Sequence, residues 1–302
     1  MKTLFLLLSV VLLASSCGNP SETPTPKPST SKYQKYAKEN EIKIMSFNVR
    51  TSAMDKDTPN HWNNRRAACV ELIRDHMPDI LGVQEATFTN QWLWLKDQLK
   101  SSGYDGYGLN RQTGTEEKNG ECPGILYNTN VIKKIKVGTF WLSETPDKPS
   151  MHSKANYYRT ATWGLFEHLP TGKEFLYINT HLDHESYAAQ VDGMKLIAAK
   201  FKEHQKDVDA LFLSGDLNVD ATHDAIKEIK DFMRNARTYA NRTDNFGTTN
   251  GFESETKKGM IDHIYYSKEM KNPIEYQTIR DTYNGVKFVS DHYPIYTIIR
   301  LK

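Results

Sequence analysis

Apolar residues in this chain fall into short alternating runs and longer stretches with helical spacing. "IKIMSFNV" (42–49) alternates as a strand does, and "RRAACVELIRDHM" (65–77) has the three-to-four spacing of an amphipathic helix. "DILGVQE" (79–85) is a short apolar run ending on a carboxylate, and "TNQWLWLKDQLKSS" (89–102) is a second helix capped by Thr89 or Asn90. "GILYNTNVIKKIKVGTFWLS" (124–143) predicts a hairpin turning at Asn128–Asn130. "RTATWGLFEHLPTGKEFLYINTH" (159–181) predicts another, turning at Pro170–Gly172. A long helix follows (186–205), then the strand "ALFLSGDLN" (210–218), a helix over 223–233, and two last strands in "MIDHIYYS" and "HYPIYTIIRL". Hairpins mixed with strand–helix units predict an α/β fold with mixed sheets, not a doubly wound parallel one. With no break in composition, residues 33–302 read as one domain.

The first 32 residues follow a different pattern. "MKTLFLLLSVVLLASSC" has a positive Lys2, an apolar run too short to span a bilayer, and small residues before Cys17. It resembles a bacterial lipoprotein signal over residues 1–17. Export is therefore expected, with membrane attachment only through a lipid on Cys17, at the periplasm or the outer-membrane surface. Residues 18–32 carry four prolines among Ser and Thr and read as an extended tether.

The 302 residues have a formal net charge of +2, so no broad basic surface for nucleic acid is indicated, although a local basic cleft stays possible. Cys69 and Cys122, the cysteines beyond the leader, are expected to be buried lone thiols.

The strand ends carry the chemistry. Asn48 closes the first strand and Glu85 the next, while Asn179 and His181 end "LYINTH", with Asp183 and His184 just beyond. Asp216 and Asn218 follow "LFLSG", Asp262 lies in "IDHIYYS", and Asp291 and His292 open the last strand. Each motif alone suits a turn or a helix cap. Together they predict that polar strand ends converge on one cleft. Glu85, Asp216 and Asp291, with Asn48 and Asn218, are hard oxygen donors that suit Mg²⁺ or Mn²⁺. No HExxH and no cysteine cluster points to zinc. Hard cation, carboxylate and separate imidazoles fit hydrolysis of phosphate esters.

"SFNVR", "GVQEA", "FWLSETPDKPS", "RTATW", "NTHLDH", "SGDLN", "IDHIYYS" and "SDHYP" resemble, in order, the motifs of the endonuclease/exonuclease/phosphatase superfamily. The resemblance spans Ser46 to Pro294 and implies a DNase I-like four-layer sandwich of two mixed β-sheets flanked by helices. It implies Glu85 as the principal metal ligand, with Asn48 and Asp291 beside it. By the same likeness Asp216 activates water, Asn218 donates to the phosphate, and His292, held by Asp262, stabilises phosphoryl oxygens. His181 becomes the second phosphate-binding imidazole. Arg159, Asn179 and Asp183 are expected on the substrate side, and Glu121 near the metal.

"THLDH" resembles a branch of that superfamily found in bacterial secreted proteins and in relatives of deadenylases; the helix after it lacks the arginine common there near Gln190, His263 replaces the usual tyrosine, and the loop before Arg159 is atypical. Three readings stay open: hydrolysis of small phosphate esters, an exported nuclease, and a lipid-anchored binding protein without catalysis.

Overall fold

The computed structural model of the protein describes residues 39–117, 120–253 and 259–301. The expected leader (1–17), with Cys17, and the tether (18–32) lie outside the described residues.

The strands of the first sheet are β1 (Glu41–Asn48), β2 (Ile80–Thr87), β3 (Tyr104–Tyr107), β4 (Glu121–Asn128), β11 (Glu275–Thr278) and β12 (Ile295–Arg300). The second holds β5 (Ile132–Trp141), β6 (Thr160–His168), β7 (Lys173–His181), β8 (Ala210–Asp216), β9 (Met233–Asn235) and β10 (Asp262–Ser267). Their orders are β11-β12-β1-β2-β4-β3 and β5-β6-β7-β8-β10-β9. Each sheet has one parallel pair in its middle, β1 with β2 and β7 with β8, and antiparallel neighbours elsewhere. The two sheets therefore repeat one topology, although the sequence shows no clear repeat.

Helices α1 (Trp62–His76) and α2 (Leu93–Lys100) bury Leu72, Ile73, Leu95 and Leu99 against Met45, Phe47, Leu81 and Val83 of the first sheet. Helix α3 (Tyr187–His204) sets Met194, Ile197 and Phe201 on Leu176, Ile178, Leu211 and Leu213 of the second. The short α4 (Asp224–Lys227) joins that layer, and α5 (Ala236–Tyr239) follows β9. Between the sheets lies a third core, with Ile42, Ile44, Ile80, Phe175, Tyr177, Phe212, Ile264 and Tyr266. The result is the expected helix–sheet–sheet–helix sandwich. Each large apolar side chain so buried contributes roughly 1.5–3 kcal/mol.

Strand alternation turns this core into a gradient. Side chains two apart share a face, so Ile42 and Ile44 are followed between the sheets by Ser46 and Asn48. Phe175 and Tyr177 lead to Asn179 and His181, and Phe212 leads to Ser214 and Asp216. Each column is apolar at one end, uncharged polar in the middle and functional at the other end. In the middle layer Gln84 Nε2 donates to Asn179 Oδ1 at 2.6 Å and to Ser46 Oγ at 3.1 Å. Asn179 Nδ2 donates to the carbonyls of Val83 and Gly124 at 2.9 and 2.8 Å.

That corrects one expectation. Asn179 is fully buried and its whole carboxamide is spent joining the sheets, so it does not reach substrate. It sits one pleat below His181, inside the sandwich.

Other departures are local. The turn at Asn128–Asn130 forms, with the Val131 N–H donating to the Asn128 carbonyl, but it is not a hairpin. It passes the chain from β4 in one sheet to β5 in the other. Turn chemistry reverses the backbone locally, whereas strand pairing depends on which distant edges are free. The second hairpin, β6 with β7, forms as expected around Gly172 at φ +66°.

The helix expected from 89 starts with a π-helical turn, Phe88–Trp92, uncapped by Thr89 or Asn90, and Gln91 instead accepts the N–H groups of Ser52 and Thr87. The helix expected over 223–233 shortens to α4. Cys69 and Cys122 are buried and free.

Gly82 faces the polar layer. A Cβ there would lie 2.4 Å from Asn179 Oδ1 and from Ser214 Oγ, both fully buried. Gly82→Ala is expected to cost about 1–3 kcal/mol in urea denaturation, the range for overpacking; an unchanged midpoint would contradict this account of the layer.

Candidate active site

Glu85 is the residue that alternation alone would misplace. It should point with Leu81 and Val83 towards the helices. Instead the β2–β4 register shifts between Val83 and Ala86, and Glu85 takes a left-handed φ of 62°. Such a backbone costs a β-carbon residue about 1–2 kcal/mol. The bulge returns the carboxylate to the seam between the sheets, where Oε1 accepts from Asn48 Nδ2 at 2.9 Å and Oε2 from the Thr51 N–H at 3.0 Å. Gly215 serves a different need: a Cβ there would meet the Thr180 carbonyl oxygen at 2.2 Å, so "GDLN" carries its glycine for close strand approach.

Asp216 is the hub of the polar strand ends. Its Oδ2 accepts from Asn48 Nδ2 at 2.9 Å and lies 3.5 Å from His181 Nε2 and 3.8 Å from His292 Nε2. His292 Nδ1 donates to Asp262 Oδ2 at 2.8 Å. Asn218, at a left-handed φ of 53°, is partly exposed and donates from Nδ2 to the Leu182 carbonyl at 3.0 Å. Asp291 Oδ2 lies 3.2 Å from Arg50 Nη1. The sequence-predicted Asn48, Glu85, His181, Asp216, Asn218, Asp262, Asp291 and His292 thus come from both sheets to one place.

Burial there sorts the charges. Burial itself, with Asp262 and Glu85 nearby, pushes Asp216 up to about 7. Burial opposes a charge on His292 as well, yet Asp262, Asp216 and Asp291 outweigh it and hold its proton well above the ordinary imidazole value. His181 goes the other way: burial, then Arg159, Arg111 and His292, drive it well below that value. One imidazole is a cation anchored on a carboxylate and the other is neutral. Glu85 stays ionised, because the Asn48 amide and the His292 cation overcome its burial.

Asp291 is raised by burial and by Glu85. Carboxylates crowded enough to retain protons fit a site for a divalent cation. Glu85, His181 and Asp216 each offer a ligand atom, all within 4.8 Å of one another. The oxygen donors Glu85, Asp216, Asp291 and Asn48 are of the type that Mg²⁺ or Mn²⁺ takes.

The residues expected on the substrate side divide. Arg159 is almost wholly buried, donates from Nη2 to His184 Nδ1 at 2.9 Å, and has Nε 3.7 Å from Asp183 Oδ2. Asp183 is 1% exposed, and its Oδ1 accepts the N–H groups of Glu185 and Ser186 at 2.9 and 2.7 Å. Past the end of β7, Asp183 thus clasps a turn with Oδ1 and turns Oδ2 towards Arg159. Glu121 does lie near Glu85, but beside Arg111 Nη1 at 2.7 Å. His263 points away from the centre, donating from Nε2 to the Val219 carbonyl at 2.9 Å.

Sequence reasoning missed Arg50 and Arg111. Arg50 was within reach as the last residue of "SFNVR". Arg111 sits in a loop with no local pattern, and only the fold shows it.

Asp216 ties metal affinity to pH. A carboxyl held up to about 7 favours the folded protein fully below its ordinary value of 3.8, and loses that contribution as pH rises towards 7. A cation held close by would disfavour this proton by its charge. In chelator-treated protein, added Mn²⁺ or Mg²⁺ should raise the melting temperature more at about pH 8 than at about pH 5.5. An equal or reversed difference would contradict the assignment.

A sequence profile of the Endonuclease/Exonuclease/phosphatase family matches residues 45–292. Among solved structures, a family member from Bacteroides thetaiotaomicron is 31% identical, covers 87% of this chain and 98% of its own, and superposes with a TM-score of 0.80. A mannosyl-6-phosphatase of the same organism is also 31% identical, covers 85% of this chain and 99% of its own, and has a TM-score of 0.77. An uncharacterized protein of Acanthamoeba polyphaga mimivirus is 26% identical over 254 residues, 78% of this chain and 91% of its own. By the span of that profile, and with its motifs gathered at one seam between two mixed sheets, the chain belongs to the endonuclease/exonuclease/phosphatase family.

Proposed function

We propose that the protein is a divalent-metal-dependent phosphoesterase that hydrolyses small or exported phosphate esters, diesters or monoesters, by attack of water. The carrying observation is Asp216: a buried carboxylate whose Oδ2 accepts from the Asn48 amide at 2.9 Å and lies 3.8 Å from His292 Nε2, beside Glu85. A carboxylate so placed can both orient water and take its proton. Glu85, Asn48 and Asp291 would hold Mg²⁺ or Mn²⁺. When bound, that ion supplies charge neutralisation at the phosphoryl and leaving oxygens.

The chain's own groups do the rest. Asp216 accepts a proton as the water oxygen bonds to phosphorus. His292, kept protonated by Asp262, donates from Nε2 to the phosphoryl oxygens as charge builds. Asn218 has a second amide N–H for the same group, and His181 ends the neighbouring parallel strand in register with Asp216. The P–O ester bond breaks, the leaving alkoxide takes a proton from solvent water, and Asp216 returns its proton to solvent, so that alcohol and phosphate are the products.

Small esters are favoured over a nucleic-acid backbone. The chain is close to neutral, and the lysines of β5 are engaged with Glu167, Asp105 and Trp163 at a sheet edge. Likeness to a mannosyl-6-phosphatase supports sugar phosphates among the candidates. Residues 1–17 and the tether support export, with the membrane reached only by a lipid on Cys17.

Sugar phosphates, inositol phosphates, phosphorylated lipid head groups, plasmid DNA and RNA should be assayed side by side, with metal and with chelator. Metal-dependent phosphate release from small esters is expected, and Glu85→Ala and His292→Ala should each lower kcat by about 10²–10⁴. Nicking of nucleic acid at low enzyme concentration would favour a nuclease, and full activity in either variant would remove the site assignment. Asp262→Asn withdraws the charge that holds the His292 proton, so the alkaline limb of the pH–rate profile should move to lower pH. A limb that stays in place would show that this proton is not needed.

A further inference from the structure

Two arginines beside the centre have more hydrogen-bonding capacity than the protein uses. Arg111 follows β3 in the first sheet and Arg159 precedes β6 in the second; they are 8% and 6% exposed. Arg111 is fixed by its backbone, its N–H donating to the Glu121 carbonyl at 2.9 Å and its carbonyl accepting from Trp141 Nε1 at 2.6 Å. Its Nη1 lies 2.7 Å from Glu121 Oε2 but makes no aligned hydrogen bond, and its Nε has no acceptor. Arg159 spends Nη2 on His184, while Nε and Nη1 have no acceptor.

Buried arginine need not be left so. Arg65 is 1% exposed, and its Nε, Nη1 and Nη2 donate to the carbonyls of Asn60, Val49, Val289 and Arg50.

The two guanidiniums belong to one place. Thr162 Oγ1, three residues after Arg159, donates across the seam to the carbonyl of Pro123, two residues after Glu121. The start of β6 therefore lies against the start of β4, and Glu121 there feels the charges of Arg111, Glu85 and Arg159. Arg111 is near enough for its charge to act on Arg159 directly. Unmet guanidinium donors in a dry site call for an anion with several oxygens, and the planar fork matches phosphate.

We propose that Arg111 and Arg159 form a two-armed clamp for the terminal oxygens of a phosphomonoester. The inference rests on the phosphoesterase reading and narrows it to monoesters. A monoester presents three terminal oxygens and a charge approaching −2 near neutral pH; a diester presents two oxygens and a single charge. Arginines this deeply buried meet a terminal group, whereas a backbone running on past its phosphate needs an exposed track. Glu121 and Asp183, each beside one guanidinium, act as positioning residues.

The test uses two substrates with one leaving group, p-nitrophenyl phosphate and bis(p-nitrophenyl) phosphate, with Mn²⁺ or Mg²⁺. Inorganic phosphate serves as inhibitor and, by calorimetry, as ligand. The variants are Arg111→Lys, which keeps the charge without the fork, and the pair Arg111→Met with Glu121→Gln, which leaves no lone buried carboxylate. Circular dichroism and melting temperature check their folding, and Arg159→Lys gives the same readout if the Arg111 variants lose structure.

The wild type should prefer the monoester. Each variant should lose about 10–100-fold in kcat/KM on it, at least about tenfold more than on the diester, with phosphate binding weakened in parallel. Equal losses on both substrates, no loss, or a wild-type preference for the diester would overturn the clamp. Phosphate binding that weakens in the variants while neither ester turns over would support the clamp and remove the phosphoesterase reading instead.

Discussion

A carboxamide lock sets the geometry of this protein. Gln84 and Asn179 meet at 2.6 Å between the sheets, where the apolar inter-sheet core gives out. Below it, Ile and Phe pack by area alone, and such packing specifies separation better than register. At the lock, directional hydrogen bonds to Ser46, Val83 and Gly124 fix how one sheet sits on the other. One pleat higher, the same columns end in Asn48, His181 and Asp216. The functional groups therefore inherit their spacing from a buried layer that touches no substrate.

Above the lock, the fold places ionisable groups where burial decides their state. Asp216 keeps its proton to about 7, His292 is held as a cation by Asp262, and His181 is held neutral by burial and then by neighbouring cations. None of these states is the ordinary one for its residue, and each follows from company kept in a site with little water. The bulge at Glu85 is part of the same arrangement. A backbone conformation unfavourable to glutamate is tolerated because two hydrogen bonds hold the carboxylate where the seam needs it.

Much of this was legible in the residues and some was not. Strand and helix periods indicated the mixed sheets, and motif order indicated which polar ends belong together. Asn179 misled because a polar residue two positions before a functional one shares its face without sharing its depth. Asp183 lies past the end of its strand, where alternation no longer says which way a side chain points. The Asn128–Asn130 turn misled because β4 and β5 each found another partner. Arg111 gave no signal at all, since its importance lies in unmet hydrogen bonds and those exist only in the folded chain.

The sequence by itself determined the alternation of apolar and polar positions, the family, and the identity of the groups at the strand ends. These are local properties, written in side chains a few residues apart. The tertiary structure alone decided depth, protonation and pairing: which carboxamide locks the sheets, which histidine carries charge, and which arginines are left with donors to spare. Those depend on neighbours that lie tens or hundreds of residues away in the chain, and on the removal of water that only packing achieves.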